Sequence, residues 1–493
     1  MSSKKVVVIG SGFAGLSAAT TLADKGYHVT LLEKNSTPGG RARVFDAEGY
    51  KFDMGPSWYW MPDVFEAYFE RFGKKVSDYY ELIRLEPGYT IVFGENDRMT
   101  VPGNMAGIEA MFESYEPGSA ARLREFMKQA AYKYEVGINN LVYKPSRSIS
   151  EFTSPKLLFD MLRMDIFQSM SKHVRKYFKH PKLIKLMEFP VLFLGATPQN
   201  TPALYSLMNY ADLSLGTWYP QGGMFEIVKA FVSLAEEKGV KIVYNAEVTA
   251  IDANGRMANK VRSTAGDFDA DIVVAGADYH HIDQKVLKPE HRNYSADYWK
   301  KRTMAPSSLL FYLGLNKKLE GLTHHTLFFD EEFDQHAHEI YTDPKWPTKP
   351  LFYTSLSSKT DPSVAPEGTD NLVILVPLAP DLEDSEEIRE KYYHLIMDRF
   401  ERLIGQSIRD AVVYKRSYAH NDFKTDYHAF RGNAYGLANT LLQTAILKPG
   451  LKNKKLDNLY FTGQLTVPGP GVPPTIISGQ VIAGEIFKEF PNN

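Results

Sequence analysis

Gly10, Gly12 and Gly15 form a Gly-x-Gly-x-x-Gly run, Gly10-Ser11-Gly12-Phe13-Ala14-Gly15, and a carboxylate, Glu33, closes the apolar stretch His28-Val29-Thr30-Leu31-Leu32 that follows. Glycines so spaced let a backbone approach a diphosphate closely, and Glu33 is a natural acceptor for ribose hydroxyls. The elements that must position them are legible on either side. Val6-Val7-Val8-Ile9 reads as a buried strand, Leu16 to Lys25 as a crossover helix, and Gly26 as its end. Such a helix turns its unpaired N–H groups and partial positive charge toward a phosphate. Together these residues form a dinucleotide-binding βαβ unit at the start of the chain.

Lys34-Asn35-Ser36-Thr37-Pro38-Gly39-Gly40-Arg41 extends the site. Gly39 and Gly40 admit a ligand without Cβ collision, and Arg41 supplies a cationic fork for phosphate or flavin ring oxygens. Alone, Pro-Gly-Gly is ordinary turn chemistry; behind the glycine fingerprint it reads as part of one site, and as the feature that points to FAD rather than NAD.

This pairing resembles the flavoprotein superfamily of amine oxidases, protoporphyrinogen oxidases and carotenoid desaturases. Phe52-Asp53-Met54-Gly55-Pro56-Ser57, Trp218-Tyr219-Pro220-Gln221-Gly222-Gly223-Met224, His324-His325-Thr326-Leu327-Phe328-Phe329 and Gly432-Asn433-Ala434-Tyr435-Gly436 are similar to stations of the bacterial-type phytoene desaturases. So is Asn458-Leu459-Tyr460-Phe461-Thr462-Gly463, followed by Pro468-Gly469-Pro470-Gly471-Val472-Pro473-Pro474 and Thr475-Ile476-Ile477-Ser478-Gly479. Val467, Pro470 and Pro474 depart from the usual family pattern, in which a histidine and small residues are common.

The resemblance implies FAD held by Gly10, Ser11, Gly12, Ala14, Gly15, Glu33, Lys34, Gly39, Gly40, Arg41, Gly55, Val248, Gly463, Thr475 and Ile476, and without cysteine the flavin is expected to be noncovalent unless a histidine or tyrosine links it. It implies that the last helix aims its N-terminus, at Thr475 and Ile476, toward the pyrimidine edge of the flavin, where the reduced ring carries negative charge. The reaction it implies is removal of hydrogens from CH₂–CH₂ units of a lipid-soluble isoprenoid, phytoene, toward lycopene, with oxygen or quinone as electron acceptor. A C30 precursor, cis–trans isomerisation or a later carotenoid are the enzymatic alternatives. Non-redox prenyl-binding escort proteins share the architecture but generally lack a functional FAD site.

Asp160 and Arg163 resemble the Asp-x-x-Arg pair of the desaturases and are the catalytic candidates, one helical turn apart; a surface ion pair gives the same pattern. His324, His325, His336 and His338 lie among Asp330, Glu331, Glu332, Asp334 and Glu339. Their spacing matches no compact metal motif, so a solvated polar loop without metal is expected.

The expected architecture is α/β: a Rossmann-like FAD domain from residues 1–75, 216–290 and 450–493, with 76–215 and 291–449 inserted as a mixed-sheet substrate domain with a helical cap. Strands are expected at Lys241-Ile242-Val243-Tyr244, Glu247 to Ile251, Asp271 to Ala277 and Leu459-Tyr460-Phe461, and in the insert at Leu309 to Leu313 and Leu372 to Val376. Ala120 to Val136 reads as a helix.

The 493 residues include 29 Tyr and 29 Phe, enough for a large core and suited also to an apolar tunnel. A formal charge of −2 offers nothing to nucleic acid. The absence of cysteine excludes disulfides, thiolate metal sites and a cysteinyl flavin link. The first apolar stretch is needed for the nucleotide site, so a cytoplasmic protein is expected. No stretch is apolar for long enough to span a bilayer. Between residues 155 and 189, an apolar stripe from Leu157 to Met170 precedes a basic run through Lys172, Arg175, Lys176, Lys179, Lys182 and Lys185. That pattern fits an interfacial helix on anionic lipid and equally a helix packed on its own core; the lipid-soluble substrate implied by the family favours peripheral contact with the inner membrane.

Overall fold

The computed structural model describes residues 3–153, 165, 168–194, 197–440 and 443–492. Asp160 and Arg163, with most of the apolar stripe before Met170, lie outside these residues.

Val6, Val7, Val8 and Ile9 are buried on both faces, as expected of a strand inside a parallel sheet. Strand Lys5–Ile9 is flanked in parallel by His28–Leu32 and Ile272–Ala275. Lys241–Val243 extends one edge and Leu459–Phe461 the other, giving five parallel strands drawn from three distant stretches of chain. Helix Phe13–Asp24 crosses this sheet, and helices Phe225–Glu237 and Val472–Glu489 pack against that helix. Phe13 meets Phe231 edge-on at 5.3 Å between ring centroids. Val248–Asn254, Met257–Ser263 and Gly266–Asp269 form a separate antiparallel sheet.

A seven-stranded sheet runs in the order Val412–Tyr418, Ser307–Leu315, Asp370–Leu378, Phe352–Ser355, His325–Phe328, Tyr89–Gly94, Asp97–Val101. It is mixed because His325–Phe328 lies parallel to Tyr89–Gly94 while the other pairs are antiparallel. Helix Glu386–Ile404 covers one face and buries Phe400 against Phe328 and Phe352. Its ends are set locally: Ser385 accepts the N–H of Ile388, and Gly405 closes the helix in the left-handed region. Helices Ser119–Val136, Met170–Tyr177 and Pro181–Glu188 belong to a helical layer.

The structure corrects three expectations. The crossover helix begins at Phe13 rather than Leu16, because Gly12 is already its cap. The last helix begins at Val472, with both prolines inside its first turn, where a missing N–H costs little. The histidine region is not a solvated loop. His325 starts a fully buried strand, His336 lies inward on helix Phe333–Tyr341, and His324, His325 and His336 are 4%, 0% and 3% exposed; of the four, only His338 faces solvent. Hydrogen bonding makes that burial tolerable. His324 Nδ1 meets Thr360 Oγ1 at 2.8 Å, and His336 Nδ1 accepts the Leu351 N–H while its Nε2 meets the Pro377 carbonyl at 2.9 Å.

Candidate active site

At the end of strand Lys5–Ile9 the chain turns through Gly10 with φ +94°, a conformation that disfavours side chains. A Cβ on Gly12 would meet nothing within 4 Å, whereas one on Gly15 would stand 1.9 Å from the Gly10 carbonyl oxygen. One glycine therefore keeps space open above the helix terminus, and the other lets helix and strand close up. No side chain caps that helix. The second loop folds onto the first: the Gly39 N–H donates to the Ser11 carbonyl, and a Cβ on Gly40 would lie 3.3 Å from Gly12 Cα.

Glu33 is 5% exposed. Its Oε2 accepts from Ser11 N at 2.9 Å and Ser11 Oγ at 2.6 Å, and its Oε1 from Asn35 N at 2.8 Å and Asn35 Nδ2 at 3.1 Å. The two backbone bonds fix the carboxylate. The side-chain donors Ser11 Oγ and Asn35 Nδ2 add a second bond to each carboxylate oxygen. Arg41 has its guanidinium over the Tyr427 ring at 5.2 Å, and its Nη2 accompanies the Asn433 carbonyl at 3.4 Å. With its amide oxygen turned inward, Gln464 accepts from Arg41 Nη2 at 3.0 Å. Arg41 Nε is buried without a partner. Burial lowers the Arg41 pKa, with Asp278 acting against it.

These residues open on one cavity of about 530 Å³, within the ordinary range for ligand sites. Gly10, Gly12, Ala14, Glu33, Lys34, Gly39, Gly40, Arg41, Gly55, Val248, Gly463 and Thr475 line it. Ser11, Gly15 and Ile476 do not: Ser11 holds Glu33 from behind, Gly15 serves helix packing, and Ile476 is fully buried with its carbonyl accepting from Ser17 Oγ. Thr475 reaches the cavity, but its N–H is spent on the Gly471 carbonyl at 3.0 Å. Since Pro473 and Pro474 have no N–H, this terminus offers the helix dipole and the Val472 N–H in place of the donors expected at Thr475 and Ile476.

Distant motifs converge here. Asp53 caps helix Phe225–Glu237 by accepting the N–H groups of Met224 at 2.8 Å and Phe225 at 3.1 Å, joining the Phe52–Ser57 and Trp218–Met224 stretches. Burial raises its pKa to about 6. Asp278, just beyond strand Ile272–Ala275, also lines the cavity and is raised to about 6 by burial, against the pull of the His281 N–H and Arg41. Sequence reasoning missed it, although the mouth beyond the carboxyl end of a parallel strand is where such sheets bind ligands. It missed His281 and His428 too, whose rings stack at 3.8 Å on the same wall.

The far half of the cavity is of another character. Leu327 and Tyr353 of the seven-stranded sheet and Ile340 of helix Phe333–Tyr341 line it together with Trp58, Trp60, Phe189, Met208, Phe329, Leu351 and Tyr435 from segments outside these elements. Its one titratable nitrogen base among the described lining residues, His336, is lowered by burial to about 4 and is neutral at pH 7. The charged lining residues Glu33, Lys34, Arg41, Glu247, Asp278 and Asp426 belong to the glycine-rich end.

An uncapped helix start, empty space above Gly12 and an arginine nitrogen awaiting a partner fit the diphosphate of FAD. Comparison with known proteins agrees. The family model of the flavin containing amine oxidoreductases matches residues 13–486. The chain is 41% identical to the carotenoid 3,4-desaturase of Haloarcula japonica, over 99% of both chains. It is 31% identical to the zeta-carotene-forming phytoene desaturase of Myxococcus xanthus, over 98% of this chain and 94% of that one, and 31% identical to the 4,4'-diapophytoene desaturase of Staphylococcus haemolyticus, over 98% and 99%. A putrescine oxidase variant shares the fold with a TM-score of 0.62 at 14% identity, over 99% of each chain. With the cradle, the apolar chamber and these relatives all pointing one way, the chain belongs to the flavin containing amine oxidoreductases, among the carotenoid desaturases, and is an FAD-dependent oxidoreductase.

Proposed function

We propose that this enzyme desaturates phytoene toward lycopene, taking hydrogens in pairs from saturated CH₂–CH₂ units of an acyclic C40 isoprenoid. The observation that carries the reading is the continuity of the dinucleotide cradle with a chamber whose described lining holds no charged side chain. A hydrocarbon chain gains about 25 cal/mol for each Å² it removes from water there, and a charged substrate would find no counter-ion.

Gly10, Gly12, Ala14, Gly39, Gly40 and Arg41 would hold the FAD diphosphate, Glu33, Lys34 and Val248 the adenosine, and Gly55, Gly463 and Thr475 the ring system. When bound, FAD supplies the capacity to accept two electrons and a hydrogen from a C–H bond. The protein's part is to lay the chain along the aromatic wall of Trp58, Trp60 and Phe189 and to keep water out. Oxygen or a quinone would reoxidise the cofactor.

A second reading, 3,4-desaturation of an already conjugated carotenoid, is favoured by the 41% identity to the Haloarcula enzyme. One experiment separates them. FAD-loaded protein is incubated anaerobically with a quinone and liposomes carrying phytoene, lycopene or 4,4'-diapophytoene, and pigments are resolved by chromatography. Longer-conjugated products from phytoene are expected. Unchanged phytoene beside extended lycopene would transfer the assignment to the second reading, and conversion of the C30 chain alone would make it a diapophytoene desaturase.

Peripheral membrane contact belongs to the same proposal. Among the described residues no helix is long and apolar enough to cross a membrane. Lys172, Arg175, Lys176 and Lys179 are exposed on the basic run, and Ile446 and Leu447 are 42% and 47% exposed. Flotation with anionic but not neutral liposomes is expected; protein left in the soluble fraction with both would sink the idea.

A further inference from the structure

A hydrogen-bonded chain leads from the cavity wall into the protein. Ser57 and Tyr353 both line the cavity; Ser57 Oγ lies 2.9 Å from Tyr353 OH, and Tyr353 OH lies 2.6 Å from His325 Nδ1. The His325 ring is fully buried and stacked on Trp58, centroids 4.2 Å apart and planes 12° from parallel. Its Nε2 is buried without a hydrogen-bond partner. A core histidine satisfied on one side only is costly, and neither the sheet nor the cofactor cradle requires it.

The proposed reaction, on which this inference rests, gives it a use. When a hydrogen leaves one carbon of an isoprenoid together with its bonding electrons, positive charge is left on that carbon. The double bond forms only when the neighbouring carbon gives up a proton, and the apolar half of the cavity has no carboxylate among its described lining residues. We infer that Ser57, Tyr353 and His325 are the relay that receives this proton. Ser57 Oγ takes the proton from the carbon, the Ser57 hydroxyl proton passes to the Tyr353 oxygen, and the Tyr353 hydroxyl proton passes to His325 Nδ1. The electron pair of the broken C–H bond becomes the new π bond, and the charge that stood on the substrate ends on the imidazolium, against the Trp58 ring face that favours a cation. Ser57 and Tyr353 are the catalytic members; His325 acts through Tyr353.

The relay has a direction. It needs His325 neutral with its proton on Nε2, so that Nδ1 can accept. Burial and the neighbouring His324 hold its pKa well below the usual value, so the ring is unprotonated between turnovers. A weak base suffices, because a C–H bond beside a carbocation is a far stronger acid than an imidazolium. The same weakness returns the proton through the two hydroxyls to water that enters the cavity once product has left.

The test combines kinetics with a measurement that needs no turnover. In the FAD-loaded protein labelled with ¹⁵N-histidine, the His325 resonance is identified by its loss in His325→Gln, and the wild type is expected to show the neutral Nε2–H tautomer. An Nδ1–H tautomer would overturn the relay, because the Tyr353–His325 bond would then run the wrong way. On whichever carotenoid the wild type converts, Tyr353→Phe is expected to lower kcat by about 10²-fold or more with KM unchanged, to abolish the solvent deuterium isotope effect, and to keep full FAD content. Ser57→Thr, which keeps a hydroxyl, is expected to retain most of the activity that Ser57→Ala loses. A Tyr353→Phe enzyme with wild-type kcat would also overturn the relay. A wild type that desaturates no carotenoid would instead overturn the proposed function, which the tautomer measurement leaves separate.

Discussion

Gly479 of the last helix presses so closely on Ala14 of the nucleotide helix that a Cβ on residue 479 would stand 2.5 Å from the Ala14 carbonyl oxygen and 2.7 Å from Ala18 N. Ala14 also lines the cavity, so the seam between these two helices sets where the cofactor cradle sits. The backbone atoms there belong to a helix fixed by its own hydrogen bonds and cannot give way. Gly479→Ala is therefore expected to wedge the helices apart, costing about 1–3 kcal/mol. Thermal unfolding and flavin-to-protein ratio should fall together; an unchanged melting temperature would contradict the close contact.

Arg41 brings a buried, unpartnered Nε to the cavity beside the two glycine loops. A hydrogen bond to a charged group is worth about 1.5–3 kcal/mol, so Arg41→Ala should weaken FAD binding roughly 10- to 100-fold. Arg41→Lys should recover little of that loss, because a lysine lacks the planar fork. Titration of the apoprotein with FAD reads this directly, and equal affinity of the lysine variant would show that charge alone suffices.

Acid should weaken the fold well before ordinary carboxylates titrate. Burial lowers His173, His280 and His336 to about 4 and His281 and His324 to about 3, and also lowers His325, His420 and His428. In the unfolded chain each takes up a proton near pH 6.5. Between pH 6.5 and 4 the unfolded state thus binds more protons at these positions, and stability falls as pH falls. Asp53 and Asp278 at about 6 and Asp212 at about 7 work the other way, since they protonate first in the folded state. Glu188, raised by burial, joins them, and the eight histidines outnumber the four carboxyls. The melting temperature is expected to drop steadily from pH 7 to pH 5, and a flat profile would refute the burial of the histidine set.

Lys448 extends the same reasoning to alkaline pH. It is 5% exposed, its Nζ donates to Asn439 Oδ1 at 2.9 Å, and desolvation lowers it to about 7. Unfolded, it keeps its proton to about pH 10.4. Between those values the unfolded state binds the extra proton, so stability rises with pH. Lys448→Met should flatten that rise between pH 7 and 9, measured by thermal unfolding in matched buffers.

The sequence marked the cofactor end because that end is built from short-range chemistry. Gly10, Gly12 and Gly15 act within one turn, and Glu33 closes the next strand, so their types and spacing carried the assignment. The strands at Val6–Ile9, Leu309–Leu313 and Leu372–Val376 were visible because burial leaves unbroken apolar runs. The histidines misled for the complementary reason. His324, His325 and His336 sit among acidic residues in the sequence, but their neighbours in space, Thr360, Tyr353 and Leu351, lie beyond any local window.

Other parts of the site were decided by tertiary structure alone. The capping of helix Phe225–Glu237 by Asp53, the meeting of Gly479 with Ala14 and the Ser57–Tyr353–His325 chain each join residues from separate passes of the chain. Backbone conformation and apolar patterning are set by near neighbours and survive in a linear sequence. The shape of the apolar chamber and the buried partner of each polar group arise only when those passes pack, because close packing fixes which distant side chains share a wall.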